Sequence, residues 1–387
     1  MSQDANIQDF RQQIREWLVV NCPTDMRDGN QGDDKTCWGG KCWEFQSEGQ
    51  RIWLERCAAK GLTVPTWPKA CGGAGLDRAR EKVFREEMNR INARLPLRSF
   101  GIWMLGPAVL KFGTEEQKQA LLPPIARGEI RWCQGYSEPG AGSDLANVQT
   151  RAEDHGDHWL ISGQKIWTSY ADKADWIFAL VRTDGDAPRH KGISFVLIDM
   201  AQTGVRTRPI RLISGQSQFC ETFFDNAVVP KTQIIGQENR GWDVAKYLLT
   251  HERENISELF AGGEGSPGRM LKEELREITD PVLRADVMRA EIDSLAIKLT
   301  LERYRDQAEA GQGAGDASAM LKYVGTEFNK RQQEILMRAG GSAALEWGGD
   351  RGGRAEDWLR SKGNSIEGGT SEVMLGIISR RILGLPG

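Results

Sequence analysis

The 387 residues contain no apolar run approaching the roughly 18 needed to cross a bilayer. The opening "MSQDANIQDF" has neither the cationic stretch nor the apolar core of a secretory leader, so the chain is expected to be cytoplasmic. There is no excess of basic charge: 51 Lys and Arg stand against 54 Asp and Glu, a net charge of -3, and a nucleic-acid partner would find no electrostatic footprint. The seven cysteines, at 22, 37, 42, 57, 71, 133 and 220, show no framework spacing. "CWGGKC" at 37–42 lacks the second Cys or His pair that a zinc site needs, so reduced thiols and no metal site are expected. Internal repeats and low-complexity tracts are also missing.

What is present is a chain long enough to bury a large core and divide into two or three domains. Its hydrophobic period changes twice. Up to residue 131 it is helical: Ile7, Phe10, Ile14, Trp17 and Leu18 share a face, and "TEEQK" from Thr114 reads as a capping box. From 132 to 238 it becomes short and alternating. "DHWLISG", "WIFALVR", "GISFVLIDM", "VRTRPIRL" and "ETFFDNAVV" read there as antiparallel strands. After "QENRGWD" helical periodicity returns to residue 387, broken by "GGEGSPG" at 262–268, which reads as a loop. The expected fold class is α+β, with a helical domain at 1–131, a β-domain at 132–238 and a helical domain at 239–387.

The densest motif is "QGYSEPGAGSD" at 134–144. Its glycines and proline shape a backbone that a ligand can approach closely and meet with N–H groups. Downstream lies "SGQKIWTS", whose Trp167 and Ser169, read as following a strand, could give a flat heterocycle a stacking face and a hydrogen bond.

With these motifs the sequence resembles the acyl-CoA dehydrogenase family along nearly its whole length. "SEPGAGSD", "GQKIWTS", "GISFVLID", "DNAVVP", "ENRGW" and "GGTSE" follow in the family's order. The resemblance implies an N-terminal helical domain, a middle β-domain and a C-terminal four-helix bundle. It also implies FAD as cofactor, an acyl-CoA thioester as substrate, and electron-transfer flavoprotein as electron acceptor. In such enzymes a carboxylate takes the α-proton while the β-hydride passes to flavin N5, giving the trans-2-enoyl-CoA. Residues matching the family's flavin contacts are Gln134, Tyr136, Ser137, Gly142, Ser143, Trp167, Ser169, Thr370, Ser371 and Glu372. Those matching its substrate contacts are Ser143, Thr250, Arg253, Gly368 and Gly369, with the Gly368 N–H at the thioester oxygen.

The base must be a carboxylate whose pKa desolvation raises toward the working pH. Glu367, in "NSIEGGTSEVM", is the obvious candidate. Many family members carry their base directly before the single glycine of "GTS". Aligned on that segment, the position holds Gly368, and Glu367 sits one place too early. A smaller branch takes the base from an "ER" pair in the first C-terminal helix, which this chain has in "KYLLTHERENIS". There Ala245, Leu248, Leu249, Ile256 and Leu259 make an apolar face on which Glu252 falls. A structural ion pair is the alternative for a carboxylate at that place. The resemblance makes Glu252 the expected base and leaves Arg253 to organise charge.

Two departures bear on partners. Family members carry an "RxxFG" segment and a "QxxGG" segment that reach a neighbouring subunit's FAD. Here "GGEGSPGRMLKEE" and "MRAGG", with Met337 in place of the glutamine, stand instead. The large subunits of bacterial two-gene acyl-CoA dehydrogenases, of pimeloyl-CoA and steroid side-chain type, show a similar pattern. A heterotetramer with a second related chain is therefore set beside a homo-oligomer. A flavin oxidase or monooxygenase, or a non-catalytic flavin-binding subunit, remain alternative readings, and the acyl group is open.

Overall fold

A computed structural model describes residues 3–29, 35–249, 278–309, 317–347 and 353–386. It divides into two compact units, residues 1–208 with 219–248, and residues 209–218 with 249–387.

The first unit begins with helices α1 (Gln3–Asn21), α2 (Glu48–Ala59) and α3 (Arg78–Arg90). Ile14 and Leu18 of α1 are buried against Trp53, Cys57, Val83, Phe84 and Met88, with Ile7, Phe10 and Trp17 packed on the margin, so the expected face is the packed one. Glu87 lies inside this interface. Arg11, Arg15 and Arg90 all donate to it, and these donors, the Arg15 bond foremost, hold its carboxyl down to about 2. Residues 83–112 do not form one continuous helix. α3 stops at Arg90, Asn92 takes a left-handed φ of 53°, and Pro96 lacks the N–H that a continuing helix needs. A π-helical turn (Gly101–Leu105) then leads into α4 (Gly106–Phe112). α5 (Glu115–Ala126) opens with the expected capping box, Thr114 accepting from the Gln117 N–H at 3.2 Å while the Gln117 side chain accepts from the Thr114 N–H at 3.0 Å.

Seven strands follow: β1 (Trp132–Gly135), β2 (Arg151–Asp154), β3 (His158–Ser169), β4 (Trp176–Arg182), β5 (Ile193–Asp199), β6 (Val205–Ile210) and β7 (Phe219–Pro230). They form one sheet in the order β1-β4-β2-β3-β7-β6, with β5 also on β4. β2–β3, β3–β7 and β4–β5 pair antiparallel, as expected, while β1 and β2 each lie parallel to β4. Cys133, Ile161, Ile177, Ala179, Val181, Val196, Ile198, Ala227 and Val229 build the core.

In the second unit α6 (Pro281–Glu309) packs on α7 (Ala317–Gly340). Leu283, Val287, Ala290, Ile297 and Leu301 of α6 meet Leu321, Phe328, Ile335 and Leu336 of α7. α8 (Arg354–Ser361) and α9 (Ser371–Ile377) follow. Residues 241–249 are helical, but the rest of the segment holding Thr250, Glu252 and Arg253, and the loop 262–268, lie outside the described residues. Among the described residues no helix is long and apolar enough to cross a membrane.

Candidate active site

In the first unit β1 runs directly into the glycine-rich loop. Glu138 and Ala141 close it with paired bonds, each N–H donating to the other's carbonyl at 3.0 Å, so Pro139 and Gly140 form an exposed tip. The loop is held from below by a charge. Lys165 of β3 has no exposed surface; its ammonium donates to Glu138 Oε1 (2.6 Å), the Leu180 carbonyl (2.6 Å) and the Tyr136 carbonyl (3.3 Å). Three donors thus find three acceptors, which is what a buried ammonium requires. The Glu138 carboxylate also accepts from the N–H groups of Gln149 (2.6 Å) and Thr150 (2.9 Å). Burial pushes Glu138 up, but Lys165 and those two residues outweigh it and hold the group below the usual carboxylate range. Burial brings Lys165 down to about 8 against the pull of Glu138.

The loop and the tryptophan motif are neighbours. Ile166 N–H donates to the Ser137 carbonyl at 2.9 Å, which brings Ser137 beside Trp167. Trp167 and Ser169 were expected to follow a strand; they lie inside β3, whose pairing with β7 continues to Ser169 through a register shift between Lys165 and Thr168. Trp167 sits at that bulge with a left-handed φ of 60° and leaves its indole 53% exposed, edge-on to Phe219. A bulky residue in that conformation is strained, and such strain gathers at functional positions. Ser169 is half-buried, Ser143 and Gly142 are exposed, and a side chain at Gly140 or Gly142 would meet no atom within 4 Å. Gln134 is half-buried on β1. The Tyr136 ring is buried edge-on to Phe178 and Phe195, leaving its main chain as the part nearest the loop.

In the second unit the segment 364–372 turns on two left-handed glycines, Gly368 (φ 63°) and Gly369 (φ 102°). A second fully buried lysine anchors it: Lys322 of α7 donates to the carbonyls of Gly369 (2.5 Å) and Asn364 (3.1 Å). Thr370 caps α9 by accepting from the Val373 N–H at 3.2 Å. The Ser371 hydroxyl donates to Glu327 at 2.8 Å, and the exposed Glu372 carboxyl is held below its usual range by its own backbone N–H and by Thr370. Glu367 is not a free carboxylate. Arg360 donates to both its oxygens (2.8 and 3.3 Å), and Asn364 Nδ2 donates to Oε1 at 2.6 Å.

Sequence reasoning did not single out Lys165, Glu138, Lys322 or Arg360. Lys165 had a readable signal, because it lies in step with the buried Trp159 and Ile161 on the inward face of β3. Among the described residues no three His, Cys, Asp or Glu side chains are grouped to hold a metal, and all seven cysteines are free thiols, six of them buried.

Comparison with known proteins agrees with this architecture. The N-terminal, middle and C-terminal domain models of acyl-CoA dehydrogenase match residues 40–129, 133–227 and 239–383. The chain belongs to the acyl-CoA dehydrogenase family of flavoprotein oxidoreductases and is an enzyme of that class. Acyl-CoA dehydrogenase IpdE1 of Mycolicibacterium smegmatis is 36% identical over 404 residues, covering 98% of both chains. Among solved structures, the Tcur3481-Tcur3483 steroid ACAD superposes with a TM-score of 0.78 at 28% identity, over 99% of this chain and 98% of that one. The ChsE4-ChsE5 complex from Mycobacterium tuberculosis gives 0.75 at 26%, over 100% and 99%.

Proposed function

We propose that this enzyme removes one hydrogen each from the α- and β-carbons of an acyl-CoA thioester, giving the trans-2-enoyl-CoA. The observation that carries the reading is the Glu138–Lys165 pair, which holds loop 137–143 against β3 beside the exposed indole of Trp167. The donors available suit FAD: an open aromatic face, the hydroxyls of Ser137, Ser143 and Ser169, and glycines that leave the backbone approachable. Gln134, Tyr136, Ser137, Gly142, Ser143, Trp167 and Ser169 would hold FAD from the first unit, and Thr370, Ser371 and Glu372 from the second. When bound, FAD supplies the acceptor for the β-hydride.

The chain supplies the proton chemistry. Glu252 takes the α-proton onto its carboxylate, and the pair of electrons left at the α-carbon becomes part of the new double bond. The Gly368 N–H donates to the thioester oxygen as negative charge grows there, with Ser143, Thr250, Arg253 and Gly369 at the substrate. Glu367 is read instead as a strut of its loop, a reading supported by Arg360 on both its oxygens.

The sequence divides for this purpose into domains at 1–131, 132–238 and 239–387. Association with a second, homologous chain as a heterotetramer is favoured by the two solved neighbours, both titled by two components. Met288, Ile292, Leu295 and Leu299 also form an apolar stripe on α6, each more than half exposed. A cytoplasmic setting and electron-transfer flavoprotein as oxidant complete the reading. The test is anaerobic loss of flavin colour across linear, branched, dicarboxylic and ring-bearing acyl-CoAs. At least one should bleach it. A flavin that no thioester reduces contradicts the reading, and a reduced flavin that air reoxidises rapidly points to an oxidase.

A further inference from the structure

The N–H assigned to the thioester oxygen belongs to Gly368, the first of two successive glycines with φ of 63° and 102°. A glycine pair turns at little steric cost, so composition alone does not aim that donor. Gly368 is half-buried, and its N–H donates to no acceptor among the described residues. A donor with no internal bond of its own must take its direction from what is fastened on either side.

On the C-terminal side the fastening is Lys322, at the Gly369 carbonyl. On the N-terminal side it is Glu367, whose own N–H donates to the Gly363 carbonyl at 3.0 Å. Its carboxylate accepts from Arg360 Nη2 (2.8 Å), Arg360 Nη1 (3.3 Å) and Asn364 Nδ2 (2.6 Å). Asn364 is held in turn, its Oδ1 accepting from Asn329 of α7 at 2.7 Å. The guanidinium also reaches Gln218, Nε donating to Oε1 at 3.2 Å, so its plane is fixed along with its charge. Gly363 makes room for this arrangement, because a Cβ there would stand 3.0 Å from Arg360 Nη1.

We propose that Arg360 is a positioning residue for the dehydrogenation: acting through Glu367, it aims the Gly368 N–H at the thioester oxygen. The inference rests on the dehydrogenase reading above. A two-point, charge-assisted contact sets direction as well as distance, so it orients the carboxylate and restrains the peptide that follows it. The Gly368 bond strengthens as the oxygen becomes negative, so a donor turned away costs rate and leaves thioester binding nearly as it was. A lysine, with its point charge and no planar fork, would grip Glu367 at one point only.

The experiment is anaerobic, single-turnover flavin reduction on the FAD-loaded enzyme, with an acyl-CoA that bleaches the wild type. Arg360→Met should lower the limiting rate about ten- to hundred-fold, while the half-saturating thioester concentration moves by about three-fold or less. Arg360→Lys should recover part of that rate. Glu367→Gln should slow reduction by less, since its amide keeps one acceptor oxygen, and should add little on top of Arg360→Met, because the two residues act in one chain. The infrared carbonyl stretch of the bound, isotope-labelled 2-enoyl product should rise in Arg360→Met as its hydrogen bond weakens. An unchanged rate or an unchanged stretch would overturn the proposal, as would an effect confined to half-saturation or losses that multiply in the double variant. Should Arg360→Met fail to fold, Arg360→Lys and Glu367→Gln carry the same comparisons. The parent reading fails separately, when no thioester reduces the wild-type flavin.

Discussion

Loop 137–143 and loop 364–370 are each pinned by a lysine with no exposed surface. Lys165 meets a carboxylate that its loop supplies, whereas Lys322 donates to the carbonyls of Asn364 and Gly369. The carboxylate of the second loop, Glu367, goes to Arg360 and Asn364 instead. The difference shows how one residue type can fix two loops by separate means. In the first loop a charge pair sets both side chain and main chain, and losing either partner strands a buried ion. In the second loop the lysine donates to two main-chain carbonyls, and the loop's own glutamate is taken up by Arg360 and Asn364.

This contrast is open to direct challenge. Lys165→Met should be the most damaging change, costing about 3–5 kcal/mol because Glu138 would stay buried without its counter-ion. Lys322→Met should cost less, about 1–3 kcal/mol for two carbonyls left without that donor. Denaturant unfolding of the two variants measures both, and equal losses would erase the distinction.

The same pair predicts a pH signature. Glu138 has a folded pKa below its unfolded value of about 4.3. Its stabilising contribution is therefore complete above that unfolded value and is lost as pH falls through the folded one. Unfolding measured from neutral to acidic pH should show this group's share of the acid slope disappear in Glu138→Gln. An unchanged slope would mean that the carboxylate is not held by its donors as described.

The smallest effect concerns the exposed indole. Trp167→Ala should weaken FAD retention by roughly the 0.5–1.5 kcal/mol that an aromatic stack contributes beyond its buried area. Flavin release during dialysis reads this out, and full retention would remove Trp167 from the flavin face.

The capping box at Thr114 and Gln117 was legible because both partners lie within one turn, and β4 was legible because its residues form an unbroken apolar run bounded by polar ones. β1 and β2 were not, since each has four residues, too few for a period to register. The parallel pairing of β1 and β2 with β4 depends on distant register, which alternation does not encode. The motifs marked both loops but not their anchors: a lysine looks solvent-facing in a sequence until its acceptors, at Tyr136, Glu138 and Leu180, are known.

The measurement that bears most directly on the account is anaerobic flavin reduction by Glu252→Gln and Glu367→Gln, side by side, with an acyl-CoA that reduces the wild-type enzyme. Loss of a general base slows the step by about a hundred- to ten-thousand-fold. The account predicts a loss of that size in Glu252→Gln with FAD still bound, while Glu367→Gln still bleaches. A reducible flavin in Glu252→Gln, together with an inert one in Glu367→Gln, would contradict it.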